Sequence, residues 1–398
     1  MVSESPREAV PPTRWSDAFL DSMRRVADPE TEALVREVLE RDGPPGLVQM
    51  TRALEDWEAP IPATLPESMR EWFATPVAFP AFVDLDRLRV AERLFVEYGP
   101  VSTLALLLTA VPHFFTNPAG ARSFYVARIF SPESLRQRLL EITVFITSFT
   151  QYGGLAHYWL APAQRDAAVG PLGVRKGRGI NSVQKLRMIH AGIRIMLAAT
   201  KDPERRWNVE RCGVPINQAD LCEAVLCFCF CTIDALAKLG IDQTPDEQEA
   251  TLCAWKTVGH LLGLSEALQP ADVAEARALH KQLFERACTE TPESKALIRE
   301  LVHIMRGFVP WWLGPMPAAL MRSLNGARVA DLLEVPRNPV LDTIIVGTRW
   351  LRQRHRLLAT FARLISPRLV QWMATTPGAQ GHPLLPEALA RQLGSPRR

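Results

Sequence analysis

Asn181-Ser-Val-Gln-Lys-Leu-Arg187-Met-Ile-His190-Ala-Gly-Ile-Arg194-Ile-Met-Leu197 reads as a helix with one apolar side. Val183, Leu186, Ile193 and Leu197 stand at −7, −4, +3 and +7 from His190, the spacing that lines one face of a 3.6-residue turn. His190 therefore sits in the middle of a buried stripe. Arg187 and Arg194, at −3 and +4, lie on or beside the same face. No acidic residue lies within this helix, and a buried cation needs an anionic partner. Two readings stand on the pattern alone. A lone histidine on an apolar face is more often a hydrogen-bonded core residue. A histidine for iron, with arginines beside it for carboxylates, is what a haem with two propionates would require.

The same periodicity extends outward through the chain. It predicts helices over Asp17–Asp42, Asp86–Tyr98, Val101–Val111, Pro132–Phe149, Ser182–Ala199, Gln218–Leu239, Pro245–Leu262, Ala271–Thr289 and Pro292–Phe308, while alternating strand patterns are hard to find. Explicit signals mark several ends. Thr244-Pro-Asp-Glu247 combines an N-cap threonine, a proline at the first helical position and a capping-box glutamate. Asn217 precedes the helix that Gly240 ends, with Asp220 and Glu223 early and Lys238 late, as the helix dipole favours. The fold class is all-α: a single large helical domain over residues 16–375, with a flexible N-terminus (1–15) and a flexible C-terminal tail (376–398) rich in Gly, Pro and Arg.

Composition narrows the function. With 47% hydrophobic and 22% charged residues, the 398-residue chain is neither disordered nor fibrous. A net charge of +3 over that length gives no case for a nucleic-acid binder. The most apolar windows, Val101–Phe115 and Leu221–Ile233, fall short of the ~20 residues that cross a bilayer; peripheral membrane contact stays open. Nothing before Asp17 has signal-peptide length and apolarity. Seven cysteines, four of them inside one apolar run, read as reduced thiols. The expected compartment is the cytoplasm. Nothing in the sequence sets the oligomeric state.

Common catalytic motifs are missing: no Walker A loop, no His-Glu-x-x-His, no Gly-x-Ser-x-Gly and no covalent haem motif. Cys227-Phe-Cys229-Phe-Cys231 resembles a metal motif, but residues two apart on a helix point about 200° from each other, so three such thiols cannot converge on one ion. Core packing is the reading there. His260, beside Gly259 in Trp255-Lys-Thr-Val-Gly-His-Leu-Leu-Gly263, is the rival ligand to His190. The adjacent glycine points to close helix approach and hence to a packing or supporting histidine.

Three segments, in this order and at this spacing, carry a family resemblance: Leu186-Arg-Met-Ile-His190-Ala, Gly213-Val-Pro-Ile-Asn-Gln-Ala-Asp-Leu221 and Trp255–Gly263. A fourth, Pro317-Ala-Ala-Leu-Met-Arg-Ser-Leu-Asn-Gly with Val329-Ala-Asp-Leu-Leu-Glu-Val-Pro336, extends it. Together they resemble the family of bacterial rubber oxygenases (latex clearing proteins) and the ER-bound oxygenase of mycophenolic acid biosynthesis. The resemblance implies a globin-like helical core holding non-covalent haem b, with His190 as the iron ligand and Arg194 the arginine one turn on. On the distal side it implies Arg138, in Pro132-Glu-Ser-Leu-Arg-Gln-Arg138-Leu-Leu-Glu141-Ile142-Thr143. Glu141 replaces the family's lysine and Ile142 its threonine. A stretch around residues 156–176 is longer than the family's usual segment and could form a lid. A plain surface reading of Arg138 also stands, because Glu133 with Arg136 and Arg138 with Glu141 are spaced to pair on a solvated face.

The function implied is a haem-dependent oxygenase acting with O₂ on a C=C bond of an apolar, isoprenoid-like small molecule. Arg138 would be the hydrogen-bond donor, Glu141 the base or proton relay, and Arg187 and Arg194 would help hold the cofactor. The alternatives are a non-catalytic haem carrier or gas sensor, a haem peroxidase or monooxygenase, and a haem-free helical scaffold. The rubber enzymes are secreted and this sequence carries no visible signal, so a solid extracellular polymer is not the expected substrate.

Overall fold

The computed structural model describes residues 14–55, 60–130, 135–151, 153–155, 178–199 and 206–347, and among these every regular element is a helix. The first expected helix is two. Helix α1 spans Asp17–Met23, with the Ser16 hydroxyl accepting from Phe19 N at its start. Helix α2 spans Pro29–Leu54. Pro29 causes the break: a residue before proline is pushed out of the helical region, and Asp28 sits at φ −130°, ψ 82°. The link between the two helices is held by the chain near residue 214, with Val214 N donating to Arg24 O and Gln218 N to Val26 O. A second break bends α2 at Gly43 (φ 67°), ahead of Pro44-Pro45.

Helices α3 (Glu67–Ala74), α4 (Leu85–Leu108), α5 (Ala110–Phe115), α6 (Pro118–Phe130) and α7 (Leu135–Thr150) follow. Then come α8 (Arg178–Ala199), α9 (Val209–Cys212), α10 (Gln218–Lys238) and α11 (Pro245–Leu261). Helices α12 (Val273–Ala287), α13 (Pro292–Arg306), α14 (Met316–Leu332) and α15 (Pro339–Gly347) complete the order. The caps read from sequence form as expected: Asn217 accepts from Asp220 N, and Thr244 with Glu247 closes a full capping box. Pro292 at the start of α13 is preceded by a second box, Thr291 with Ser294.

Helix α10 is apolar nearly all round and packs against α4, α5, α11 and α12, which makes it the central strut. Helix α8 lies between α2 and α7, with α11 also against it. Small residues set these close approaches. A Cβ on Gly179 would stand 2.7 Å from Phe149 Cα of α7, and one on Gly259 would stand 3.1 Å from Leu264 and 3.6 Å from Val225 of α10. Arg14 and Trp15, assigned to the loose end in the sequence reading, are docked: Trp15 is buried, donates its indole N–H to Ala267 O at 2.6 Å, and Arg14 pairs with Glu275. The physical reason is the size of the indole, which contributes more by burial than a short terminus loses in order. The 376–398 tail and the 156–176 stretch lie outside the described residues. No described helix is by itself long and apolar enough to cross a membrane.

Two glycines give a direct test of how tightly α11 is fitted to α8. Gly263 (φ 82°) ends α11, and a Cβ there would lie 2.6 Å from Arg187 Nε and 2.9 Å from Asp28 Oδ2. Gly326 has nearly the same φ, 81°, with open space around it. Gly326→Ala is expected to cost about 2 kcal/mol, the backbone penalty alone at φ 81°, ψ 166°, a region that glycine nearly monopolises. Gly263→Ala is expected to cost about 3 kcal/mol, because the Arg187–Asp28 pair must open as well. Urea denaturation of both variants checks the difference; equal costs would mean that the turn is not fitted to the ion pair.

Candidate functional site around His190

His190 lies midway along α8, with Val183 and Leu197 fully buried on either side. The ring is enclosed deep in the protein, yet part of its surface remains accessible. Burial, reinforced by the neighbouring Arg194 charge, pulls the imidazole down to about 3. At neutral pH the ring is therefore uncharged and keeps a free nitrogen lone pair, the state a metal needs. Among the described residues none hydrogen-bonds the ring.

The anionic partners of the two arginines come from the start of α2. Arg187 grips Asp28 with two hydrogen bonds, Nε to Oδ2 at 2.6 Å and Nη2 to Oδ1 at 3.0 Å, and reaches Glu30 at 2.7 Å. Its guanidinium also lies 5.5 Å from the centre of the Trp72 ring. Arg194 donates from Nε to Glu32 at 2.8 Å and stands 3.9 Å from Asp28. The acids are in the first turn of α2, where the helix dipole favours them. Arg187 is therefore fully engaged by protein carboxylates and holds α8 onto α2. Arg194 is less fully engaged: its buried Nη2 faces Asp28 Oδ2 at 3.9 Å but makes no hydrogen bond, and a buried donor of that kind calls for an occupant or a water.

The three segments that carried the resemblance meet at this node. Gln218 donates to Ala27 O and Gly263 O and accepts from Ser265 N at 2.7 Å, joining the α1–α2 link to the end of α11. Gly213 (φ 70°) leaves room for Arg24 O, which a Cβ would meet at 2.4 Å. Ile216, itself at φ 50°, presents its carbonyl to Arg194 Nη1 at 3.5 Å. Asp220 accepts from Asn117 and Asn217, and burial nevertheless pushes its carboxyl up to about 6. Near the end of α11, His260 Nε2 is 2.9 Å from Ala78 O and its ring stands 6.2 Å from Phe79. That is a packing role.

Helix α7 runs beside α8, so the helix of Arg138 and Glu141 neighbours the helix of His190; the side chains of Arg138 and Glu141 lie outside the described residues. Thr143 is buried and returns its hydroxyl to Leu139 O at 2.8 Å, while Ile142 packs on the core. Sequence reasoning missed Asp28, Glu30 and Glu32 as partners. The available signal was Asp28-Pro29-Glu30-Thr31-Glu32, acids around a proline helix start inside a run that was read as continuous.

Comparison with known proteins bears on this arrangement. Residues 102–366 match the family model described as ER-bound oxygenase mpaB/B'/Rubber oxygenase, catalytic domain. The chain belongs to that oxygenase family. A rubber oxygenase from Streptomyces sp. (strain K30) is 23% identical over 335 residues, covering 82% of this chain and 74% of that protein. A solved structure of latex clearing protein in the closed state superposes with a TM-score of 0.67 at 20% identity, covering 93% of this chain and 91% of that one. The structural match speaks for the helical fold, the family match for oxygenase activity.

The ion-pair node has a defined pH signature. Burial works against the Asp28 carboxylate, but the Arg187 guanidinium outweighs it and holds the group below the usual range. A carboxyl depressed in the folded state adds stability above its unfolded value and loses it as pH falls through the folded value. Asp28→Asn is expected to cost about 3 kcal/mol near neutrality. The gap from wild type should narrow once pH drops below about 4. Melting curves of both proteins across pH test this; a gap independent of pH would remove the ionised pair as its cause.

Proposed function

We propose that this oxygenase is haem b-dependent, that His190 is its iron ligand, and that it cleaves a C=C bond of an apolar, isoprenoid-like small molecule with O₂. The observation that carries this reading is the buried, uncharged His190 ring with no partner among the described residues. Arg194, with an unpaired buried N–H four residues on, fits one cofactor carboxylate; Arg187 is occupied by Asp28 and Glu30 and serves the scaffold. When bound, the haem supplies the oxygen chemistry, and the protein supplies ligation, polarity and access. Arg138 is the donor toward charge that develops on oxygen. Glu141, three residues on and hence on the same face of α7, holds or moves a proton at its carboxylate. All seven cysteines are free thiols, which fits a reducing, cytoplasmic setting.

Purified protein is expected to carry about one non-covalent haem b per chain, measured by its Soret band and pyridine haemochrome. His190→Ala should lose it and His260→Ala should keep it; the reverse pattern would move the ligand to α11. Arg138→Ala should keep the haem and lower turnover by about 10²-fold. Incubation of the reduced protein with an isoprenoid alkene under labelled O₂ should place both labelled atoms in product carbonyls. Ligand binding without product would make the chain a carrier or sensor. Activity that needs peroxide would make it a peroxidase.

A further inference from the structure

Away from His190, the short helix α5 and the central strut α10 meet over a second group of potential ligands. Cys227 and Cys231 are one helical turn apart on α10, and their Sγ atoms are 3.8 Å apart. His113 of α5 completes a trio whose ligand atoms all lie within 4.8 Å of one another. Cys229, on the opposite side of the helix, is not part of it. The argument against three converging thiols therefore holds, but it does not reach a pair four residues apart joined by a histidine from another helix.

The surroundings are unusual for a plain core. His113 Nδ1, Glu223 Oε2 and His280 Nε2 are all buried without hydrogen-bond partners. Glu223 is 2% exposed and stands one turn before Cys227 on α10. His113 and His280 pack on the same Phe284 ring, at 5.0 and 6.4 Å. An unpaired buried polar atom costs about 1–3 kcal/mol, and His113, the one of the three that lies within 4.8 Å of both thiols, calls for a partner there.

We propose that His113, Cys227 and Cys231 bind a single zinc ion that pins α5 to α10, a site separate from the one at His190. Two thiolates and an imidazole are the donor set that borderline-soft zinc takes and hard cations refuse. A tetrahedral site with Zn–S bonds of about 2.3 Å has an S–S edge of about 3.8 Å, the separation already present. Charge also balances. Binding releases one proton from each thiol, and the two thiolates then neutralise Zn²⁺. The fourth position is left to a water.

The test is metal content, read independently of the haem. Wild-type protein dialysed against Zn²⁺ and passed through gel filtration should retain about one zinc per chain by mass spectrometry. X-ray absorption should show a shell of two sulfurs with nitrogen or oxygen, and zinc should raise the melting temperature until EDTA removes it. Cys227→Ser with Cys231→Ser, and separately His113→Ala, should lose the metal while haem content persists; Cys229→Ser should keep both. Should the double variant not fold, the wild-type absorption shell and the EDTA-reversible shift decide alone. A shell without sulfur, no retained zinc, or equal retention in the folded double variant would overturn the proposal.

Discussion

The grip of Arg187 and Arg194 on the first turn of α2 is the constraint around which the rest of the helical body is arranged. A buried ion pair gains little net stability, because desolvation offsets most of the attraction, but breaking one partner is costly. Such a pair therefore acts chiefly as a register pin. Here the fork of Arg187 closes on both oxygens of Asp28, which fixes α8 against α2 in rotation as well as in height. The turn after α11 is shaped around that pair, since only a residue without a side chain fits at Gly263. The Gln218 amide then ties this turn to the residues just before Asp28.

Seen this way, the segments that resemble the oxygenase family are mostly scaffold. Gly213, Ile216, Asn217, Gln218 and Gly263 supply unusual backbone angles, a helix cap and carbonyl contacts. Their shared work is to hold Arg194 beside His190 while Arg187 is neutralised. That explains how a helix without acidic residues can hold Arg187 and Arg194 against the core: their charge is balanced by a segment that lies far away in sequence and adjacent in space.

Much of the fold was legible because it was written locally. The helices starting at Gln218, Pro245 and Pro292 carry caps within four residues of their ends, and their expected and observed spans differ by no more than two residues. The stripe around His190 was legible for the same reason. What was not legible was long-range. Arg187 and Asp28 are 159 residues apart, and periodicity carries no information about which acid a buried arginine will meet. The break at Pro29 was legible in principle, but the apolar pattern on either side outweighed it. Core packing of the Cys227–Cys231 run was legible, and the thiols are buried; the approach of Cys227 to Cys231 follows from a helix bringing residues four apart together.

The packing of α8 also says where chemical individuality can reside. One side of α8 is committed to α2 through the arginines and through Gly192, whose missing Cβ admits Met50 at 3.3 Å. Toward α7 the approach is set by Gly179, where a Cβ would stand 2.7 Å from Phe149 Cα. There Thr143 spends its hydroxyl on its own helix and Ile142 presents hydrocarbon, so this stretch of α7 offers apolar surface and no hydroxyl to a neighbour. On the reading proposed above, the polar chemistry that α7 contributes rests on Arg138 and Glu141. Changes on α7 leave the arginine pins of α8 in place, because the acids that bind Arg187 and Arg194, Asp28, Glu30 and Glu32, all belong to the start of α2.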